Sequence, residues 1–158
     1  MRSLHKPETD PVILYLSGGP GFFTIPLSFM GLGPLHSDFT EDGRLQFKEL
    51  QRSWCTNASV IFLDNPAGVG YSYGRRIIDT IHNDHSFRED ALTFLKKFYE
   101  DWAELRRNDL YIAGLSYGGI YAPWLAWGMH TLNQQEEMLG RPMIPLKGLI
   151  ISNGVTDY

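Results

Sequence analysis

The segment DLYIAGLSYGGIYAP, residues Asp109–Pro123, decides the fold. Leu110–Ala113 is a short apolar run of strand type that stops at Gly114-Leu115-Ser116-Tyr117-Gly118. The aromatic-rich stretch beyond it, to about Leu132, predicts a helix whose early turns Pro123 shifts or kinks. A strand turning into a helix at G-x-S-x-G is the context a nucleophile elbow requires. So sharp a turn strains the serine backbone and crowds the residues two before and two after it, which is why small residues are needed at 114 and 118. The Ser116 hydroxyl is then expected at the carboxyl edge of a sheet, at a helix N-terminus whose dipole favours developing negative charge.

Working outward, Val12–Leu16 is a continuous apolar run feeding the glycine-rich Ser17-Gly18-Gly19-Pro20-Gly21, as a buried parallel strand would. Residues 22–43 lack a clear period and read as loop, with a short helix around Ile25–Met30. Val60–Leu63 is a second strand, closed by Asp64-Asn65-Pro66 and Gly68-Val69-Gly70. Ser86 and Glu89 form a capping box ahead of Ala91, Phe94, Leu95, Phe98, Trp102 and Leu105, which predicts a helix over 86–105. Residues 133–140 read as loop or frayed helix, and Leu149–Ser152 as a fourth strand ending at Asn153-Gly154. Strands alternating with helices, without repeats or an internal linker, give one α/β domain over 1–158 built on a doubly wound, mostly parallel sheet.

Composition narrows the chemistry. A chain of 158 residues with 43% hydrophobic and 20% charged residues can build a core. The net charge of −4, with its basic pairs scattered, argues against nucleic acid as a partner. No apolar run approaches the roughly 20 residues that span a bilayer, so no membrane partner is expected, and MRSLHKPETD has neither the apolar core nor the cleavage site of a signal peptide. Cys55 is the one cysteine, which rules out an internal disulfide and reads as a buried, inert thiol. Asn57-Ala58-Ser59 fits the glycosylation acceptor pattern.

Acyl transfer at Ser116 needs donors for an oxyanion. The Tyr117 N–H is the first, and the Gly18–Gly21 loop is suited to supply the second, assigned to Gly19 N–H. The competing reading of that loop is a tight turn that binds nothing. A base must follow the serine in this arrangement, and only His130 does; at about 1.5 Å of rise per residue a continuous helix carries it about 20 Å away. His5, His36, His82 and His85 precede the serine and read as structural or surface residues. His82-Asn83-Asp84-His85 has a loose ligand spacing that no second cluster completes, so neither metal nor cofactor is expected.

YLSGGPG (Tyr15–Gly21), FMGLGPL (Phe29–Leu35), SWCTNASVIFLDNPAGVGYSY (Ser53–Tyr73), DLYIAGLSYGGIYAP and LKGLIISNGVTD (Leu146–Asp157) resemble, in order, successive blocks of the serine carboxypeptidases. The resemblance implies an α/β-hydrolase-type fold and removal of C-terminal residues from peptides by a Ser-Asp-His triad. It implies residence in a lysosome, a vacuole or the secreted space. By position it assigns Ser116 as nucleophile, Gly19 and Tyr117 as oxyanion donors, and Ser17, Gly18 and Leu115 to the substrate-binding surface.

The departures carry as much weight. The family has asparagine at Ser17, glutamate at Gly31 and glutamate at Leu115, the network that grips a substrate's terminal carboxylate, and cysteine at Phe22. Losing hydrogen bonds to a charged group, at about 1.5–3 kcal/mol each, is expected to weaken preference for a free C-terminus. Asp157 falls in a structural block, so the acid and base are expected beyond residue 158 and further strands before residue 12. A sheet incomplete at both ends predicts open strand edges and dependence on a second copy or a complementing chain. The expected activity is a serine carboxypeptidase acting on peptide or protein C-termini, with the 158 residues alone inactive. The alternatives are a catalytically inactive carboxypeptidase-like binding protein, or an esterase or acyltransferase on the same scaffold.

Overall fold

The computed structural model describes residues 1–157. Strands β1 (Val12–Leu16), β4 (Ser59–Phe62), β5 (Leu110–Leu115) and β6 (Leu146–Ser152) form one sheet in the order β4-β1-β5-β6, and every pairing is parallel. A separate antiparallel hairpin joins β2 (Leu35–Phe39) to β3 (Leu45–Glu49). Two long helices, α1 (Asp84–Asp101) and α2 (Gly118–Met138), cross between β4 and β5 and between β5 and β6.

β1 is buried along its whole length, so its alternate residues build two cores. Val12, Leu14 and Leu16 meet Phe87, Leu95 and Tyr99 of α1 and Tyr121, Leu125 and Met129 of α2. Ile13 and Tyr15 face Cys55, Ala58, Val60 and Ala113, with Leu27, Leu32 and Trp54 closing that side. Both long helices thus pack on one face, and short 3-10 turns and loops cover the other.

From β1 the chain moves out to β4, then returns through α1 to the far side of β1 as β5. The strand order reverses between β1 and β5, and the crevice at the carboxyl ends of such strands is where ligands bind in open α/β sheets. Leu16 pairs with Gly114, so the chain leaves β1 beside the point where it leaves β5.

Several sequence expectations need correction. The segment read as loop over 22–43 contains β2, and β3 follows it. Most hairpin side chains are only partly buried or exposed, so no core face imposes a period, and Gly43 at φ +80 makes the turn. α1 is capped by Asn83, not Ser86: the Asn83 side chain accepts from Ser86 N–H at 2.9 Å while Ser86 Oγ accepts from Asn83 N–H at 3.0 Å. It ends at Asp101, and Leu105 belongs to a 3-10 turn over Ala103–Arg107. α2 continues through residues read as loop or frayed helix because Asn133 is held from outside. Its side chain donates to Ile144 O at 2.8 Å and accepts from Ile144 N–H at 2.9 Å, and Gly140 at φ +64 ends the run.

The two sheet edges differ. β4 is covered by Met1, whose amine donates to Val60 O at 2.9 Å and whose carbonyl accepts from Val60 N–H at 2.9 Å. β6 is the other edge, and Leu149, Ile150 and Ile151 are exposed along it.

Candidate active site

Ser116 occupies the turn between β5 and α2 with φ +57, the left-handed region that costs a non-glycine residue about 1–2 kcal/mol. Neighbouring backbone holds it there. Its N–H donates to Ser152 O at 3.2 Å, and its carbonyl accepts from Gly119 N–H and Val155 N–H, both at 2.9 Å. A Cβ on Gly114 would lie 2.1 Å from Gly118 O, and one on Gly118 would lie 2.8 Å from Leu16 O. Any side chain at either position would push the turn off the sheet. Between these two buried glycines Ser116 itself is exposed.

The glycine loop lies against this turn. A Cβ on Gly18 would sit 2.6 Å from Ser116 Cβ, 2.8 Å from Tyr117 N and 2.9 Å from Leu115 O. Gly18 is buried, Gly19 is exposed at φ +112, and among the described residues no carbonyl accepts from Gly19 N–H. Ser116, Tyr117 and Gly18 are therefore brought together at the carboxyl ends of β1 and β5, with Gly19 the next residue of the loop. The Tyr117 phenol donates to Asp84 Oδ1 at 3.0 Å, tying the start of α2 to the start of α1.

Ser17 and Leu115 stand differently. Ser17 is only 1% exposed; its hydroxyl donates to Phe22 O and pairs with Thr24 Oγ1 at 2.8 Å. At that depth it braces the loop and has no surface on which to meet a substrate. Leu115 packs against the core containing Tyr15 and Ala113. Gly31, at φ +111, has open space where a side chain would stand.

One organising residue escaped the sequence reading. Asp64 is buried, and its carboxylate accepts from Thr24 N–H at 2.6 Å, Ile25 N–H at 3.0 Å and Tyr71 N–H at 3.0 Å. It ties the end of the glycine loop to the loop after β4. Gly70 is required beside it, since a Cβ there would lie 2.0 Å from Asp64 Oδ2. An aspartate ending a buried strand just before a run of glycines was the available signal, and it read only as a strand terminus.

The histidines lie elsewhere. α2 is unbroken from Gly118 to Met138, which leaves His130 several turns from Ser116 and exposed. His82 meets Ala67 O at 2.9 Å, His85 meets Arg88 Nη2 at 3.0 Å, and His5 pairs with Asp10. His36 lies on β2. Among the described residues no group of His, Cys, Asp and Glu side chains is placed to hold a metal ion. Cys55 is buried, and desolvation raises its thiol pKa, which keeps the sulfur protonated and unreactive. Asn57 is exposed, but Ser59 of the same acceptor pattern is buried in β4 with Oγ accepting from Ser3 N–H at 3.0 Å.

The serine carboxypeptidase family profile matches residues 1–158, the whole of the chain. The chain belongs to the serine carboxypeptidase family. Among curated members, carboxypeptidase Y homolog A of Ajellomyces dermatitidis is 40% identical over 156 residues, covering 98% of this chain and 26% of that protein. The venom serine carboxypeptidase of Apis mellifera is 36% identical over 155 residues, covering 98% of this chain and 32% of the bee protein. Among solved structures, the prohormone-processing carboxypeptidase Kex1(delta)p of Saccharomyces cerevisiae superposes with a TM-score of 0.78 at 25% identity, covering 98% of this chain and 32% of its own. The chain thus spans about a quarter to a third of the length of these serine carboxypeptidases. The α/β fold read from the strand and helix order agrees with the Kex1(delta)p superposition. Among the described residues no helix is long and apolar enough to cross a membrane.

Proposed function

We propose that this chain carries the nucleophile and oxyanion site of a serine-type carboxypeptidase, with Ser116 attacking the scissile carbonyl and Gly19 and Tyr117 N–H groups receiving the oxyanion. The observation that carries the reading is the exposed serine at φ +57 whose Cβ abuts Gly18. A strained residue held at a sheet edge beside backbone donors is the arrangement acyl transfer requires. The proton acceptor and the acid that orients it are assigned outside residues 1–158. The hydrogen-bond partners of His5, His82 and His85 support this, since none of them is Ser116, as does the place of His130 several turns along α2. Peptide or protein C-termini are the proposed substrates, and a lysosomal, vacuolar or secreted setting the proposed location. The apolar open edge at β6 supports completion of the sheet by further polypeptide.

A second reading, an esterase or acyltransferase, is favoured by one observation. Leu115 is packed into an apolar core and the Ser17 hydroxyl is spent inside its loop, so neither offers a charged or polar grip for a terminal carboxylate. Matched peptides with free and amidated C-termini, given to an enzyme completed with its acid and histidine, separate the two. A weak preference for the free acid is expected of a carboxypeptidase whose carboxylate grip is reduced at Ser17, Gly31 and Leu115, and no preference of an esterase or acyltransferase. A strong preference for the free acid would refute this reading of Leu115 and Gly31, and absence of any Ser116-dependent turnover would favour a binding protein. Residues 1–158 by themselves are expected to show no appreciable hydrolysis, because the serine lacks a base. Turnover that Ser116→Ala abolishes would overturn that assignment.

A further inference from the structure

The turn that carries Gly19 is closed by two side chains that the proposed mechanism does not use. Phe22 N–H donates to Gly18 O at 3.1 Å, and the Ser17 hydroxyl donates to Phe22 O. Both ends of the turn are thereby pinned at Phe22, with Gly19 inside it. A hydroxyl has one proton to give. Ser17 gives its own to Phe22 O, so across the 2.8 Å between the two side chains Thr24 Oγ1 donates to Ser17 Oγ. Thr24 Oγ1 in turn accepts from Ser17 N–H at 3.4 Å, and Thr24 N–H donates to Asp64 Oδ1 at 2.6 Å. The pair is thus fixed to the loop after β4.

This relay is closed to water and to any further partner. Ser17 is 1% exposed, Thr24 0% and Asp64 4%, so polypeptide packed against the loop from outside would not reach the hydroxyls. Alanine and valine at these positions would avoid the desolvation of two buried hydroxyls, and a fully satisfied buried network rigidifies what it joins. What it joins is the oxyanion loop. Gly18 follows Ser17 and lies so close to the elbow that a Cβ on it would sit 2.8 Å from Tyr117 N, and among the described residues no carbonyl accepts from Gly19 N–H.

We propose that Ser17 and Thr24 are positioning residues for the Ser116 reaction: their buried hydroxyl pair, anchored on Asp64, sets where Gly19 N–H meets the oxyanion. The assignment rests on the reading of Ser116 as nucleophile and Gly19 N–H as donor. It moves Ser17 from the substrate surface to the support of the loop. Negative charge on the oxygen develops only in the transition state, so a misplaced donor lowers kcat and leaves KM alone.

The test uses the enzyme completed with its acid and histidine and follows hydrolysis of an N-blocked dipeptide by Ser17→Ala, Thr24→Val and Thr24→Ser. Ser17→Ala and Thr24→Val are expected to lower kcat at least about tenfold with KM within about twofold of the parent, which loss of stability alone would not produce. Thr24→Ser keeps the hydroxyl and should hold kcat within about threefold. Thermal midpoints identify a variant that has not folded, and the other then carries the comparison. Hydrogen–deuterium exchange over residues 17–24 is the second readout, expected to quicken in Ser17→Ala and Thr24→Val and to match the parent in Thr24→Ser. Exchange does not depend on Ser116, so a parent without Ser116-dependent turnover would sink the nucleophile assignment while exchange still decides whether the hydroxyls hold the turn. Parent kcat or parent exchange in both Ser17→Ala and Thr24→Val, a change confined to KM, or a Thr24→Ser as slow as Thr24→Val would overturn the proposal.

Discussion

Gly18→Ala is the substitution whose effect the geometry fixes most closely. The added methyl would lie 2.6 Å from Ser116 Cβ, 2.8 Å from Tyr117 N and 2.9 Å from Leu115 O. None of these atoms ends a flexible side chain: two are backbone, and the third is the first side-chain atom of a residue held at φ +57. Either the glycine loop lifts or the turn deforms. Overpacking of a tight site costs about 1–3 kcal/mol, and a rigid backbone neighbour places this case near 2 kcal/mol or above. With a urea slope of about 2 kcal/mol per M, the unfolding midpoint should fall by about 1 M. Gly31→Ala is the control, since it has open space and a φ of +111; it should cost only the conformational strain, about 1–2 kcal/mol, and leave the site intact. The second readout is reaction of Ser116 with a fluorophosphonate in the enzyme completed with its acid and histidine, expected to slow at least about tenfold in Gly18→Ala, because displacements near 1 Å cost up to about a hundredfold. A Gly18→Ala variant with the parent midpoint and the parent labelling rate would refute the contact between loop and turn.

Other substitutions test the supports of the site. Asp64→Ala should destabilise by about 2–4 kcal/mol in urea unfolding, since it strands three backbone N–H donors, while Asp64→Asn keeps an acceptor and should cost less. Asn83→Ala removes the α1 cap and should lower stability by about 1 kcal/mol, seen as a lower thermal midpoint. Tyr99 is fully buried and, among the described residues, its hydroxyl has no hydrogen-bond partner, so Tyr99→Phe should leave stability unchanged or raise it by up to about 1 kcal/mol. Burial raises the Tyr99 phenol pKa, and Arg106 opposes this only in part. The folded chain therefore holds this proton more tightly than the unfolded chain. Its contribution is constant below the unfolded value near about pH 10 and is lost as pH rises beyond it. A pH series of unfolding midpoints should show a shallower alkaline decline in Tyr99→Phe than in the parent.

The sheet was legible where burial is complete. Val12–Leu16 and Leu110–Ala113 are unbroken apolar runs because both faces of those strands are covered, and their glycine-rich ends marked the loops that meet at the site. The β2–β3 hairpin was not, because exposed or half-covered residues such as Phe39, Leu45 and Phe47 carry no alternation that one buried face would impose. The elbow glycines could be read from the mechanics of a sharp turn, and the 2.1 Å approach of a Gly114 Cβ to Gly118 O gives the physical reason. Asp64 could not be read in the same way. Its importance lies in amides drawn from residues 24, 25 and 71, a convergence visible only once the chain is folded. The same holds for Ser17, which the family resemblance assigned to the substrate surface by position and which is buried with its hydroxyl bonded inside the loop.

Reaction with a fluorophosphonate of the enzyme completed with its acid and histidine, followed by peptide mapping, interrogates Ser116 itself. With a base to take its proton, Ser116 should form the adduct faster than a serine in an unstructured peptide; the other serines should be spared, and Ser116→Ala should lose the adduct. Adducts scattered over several serines, or a Ser116 no more reactive than the free residue, would contradict its assignment as the nucleophile.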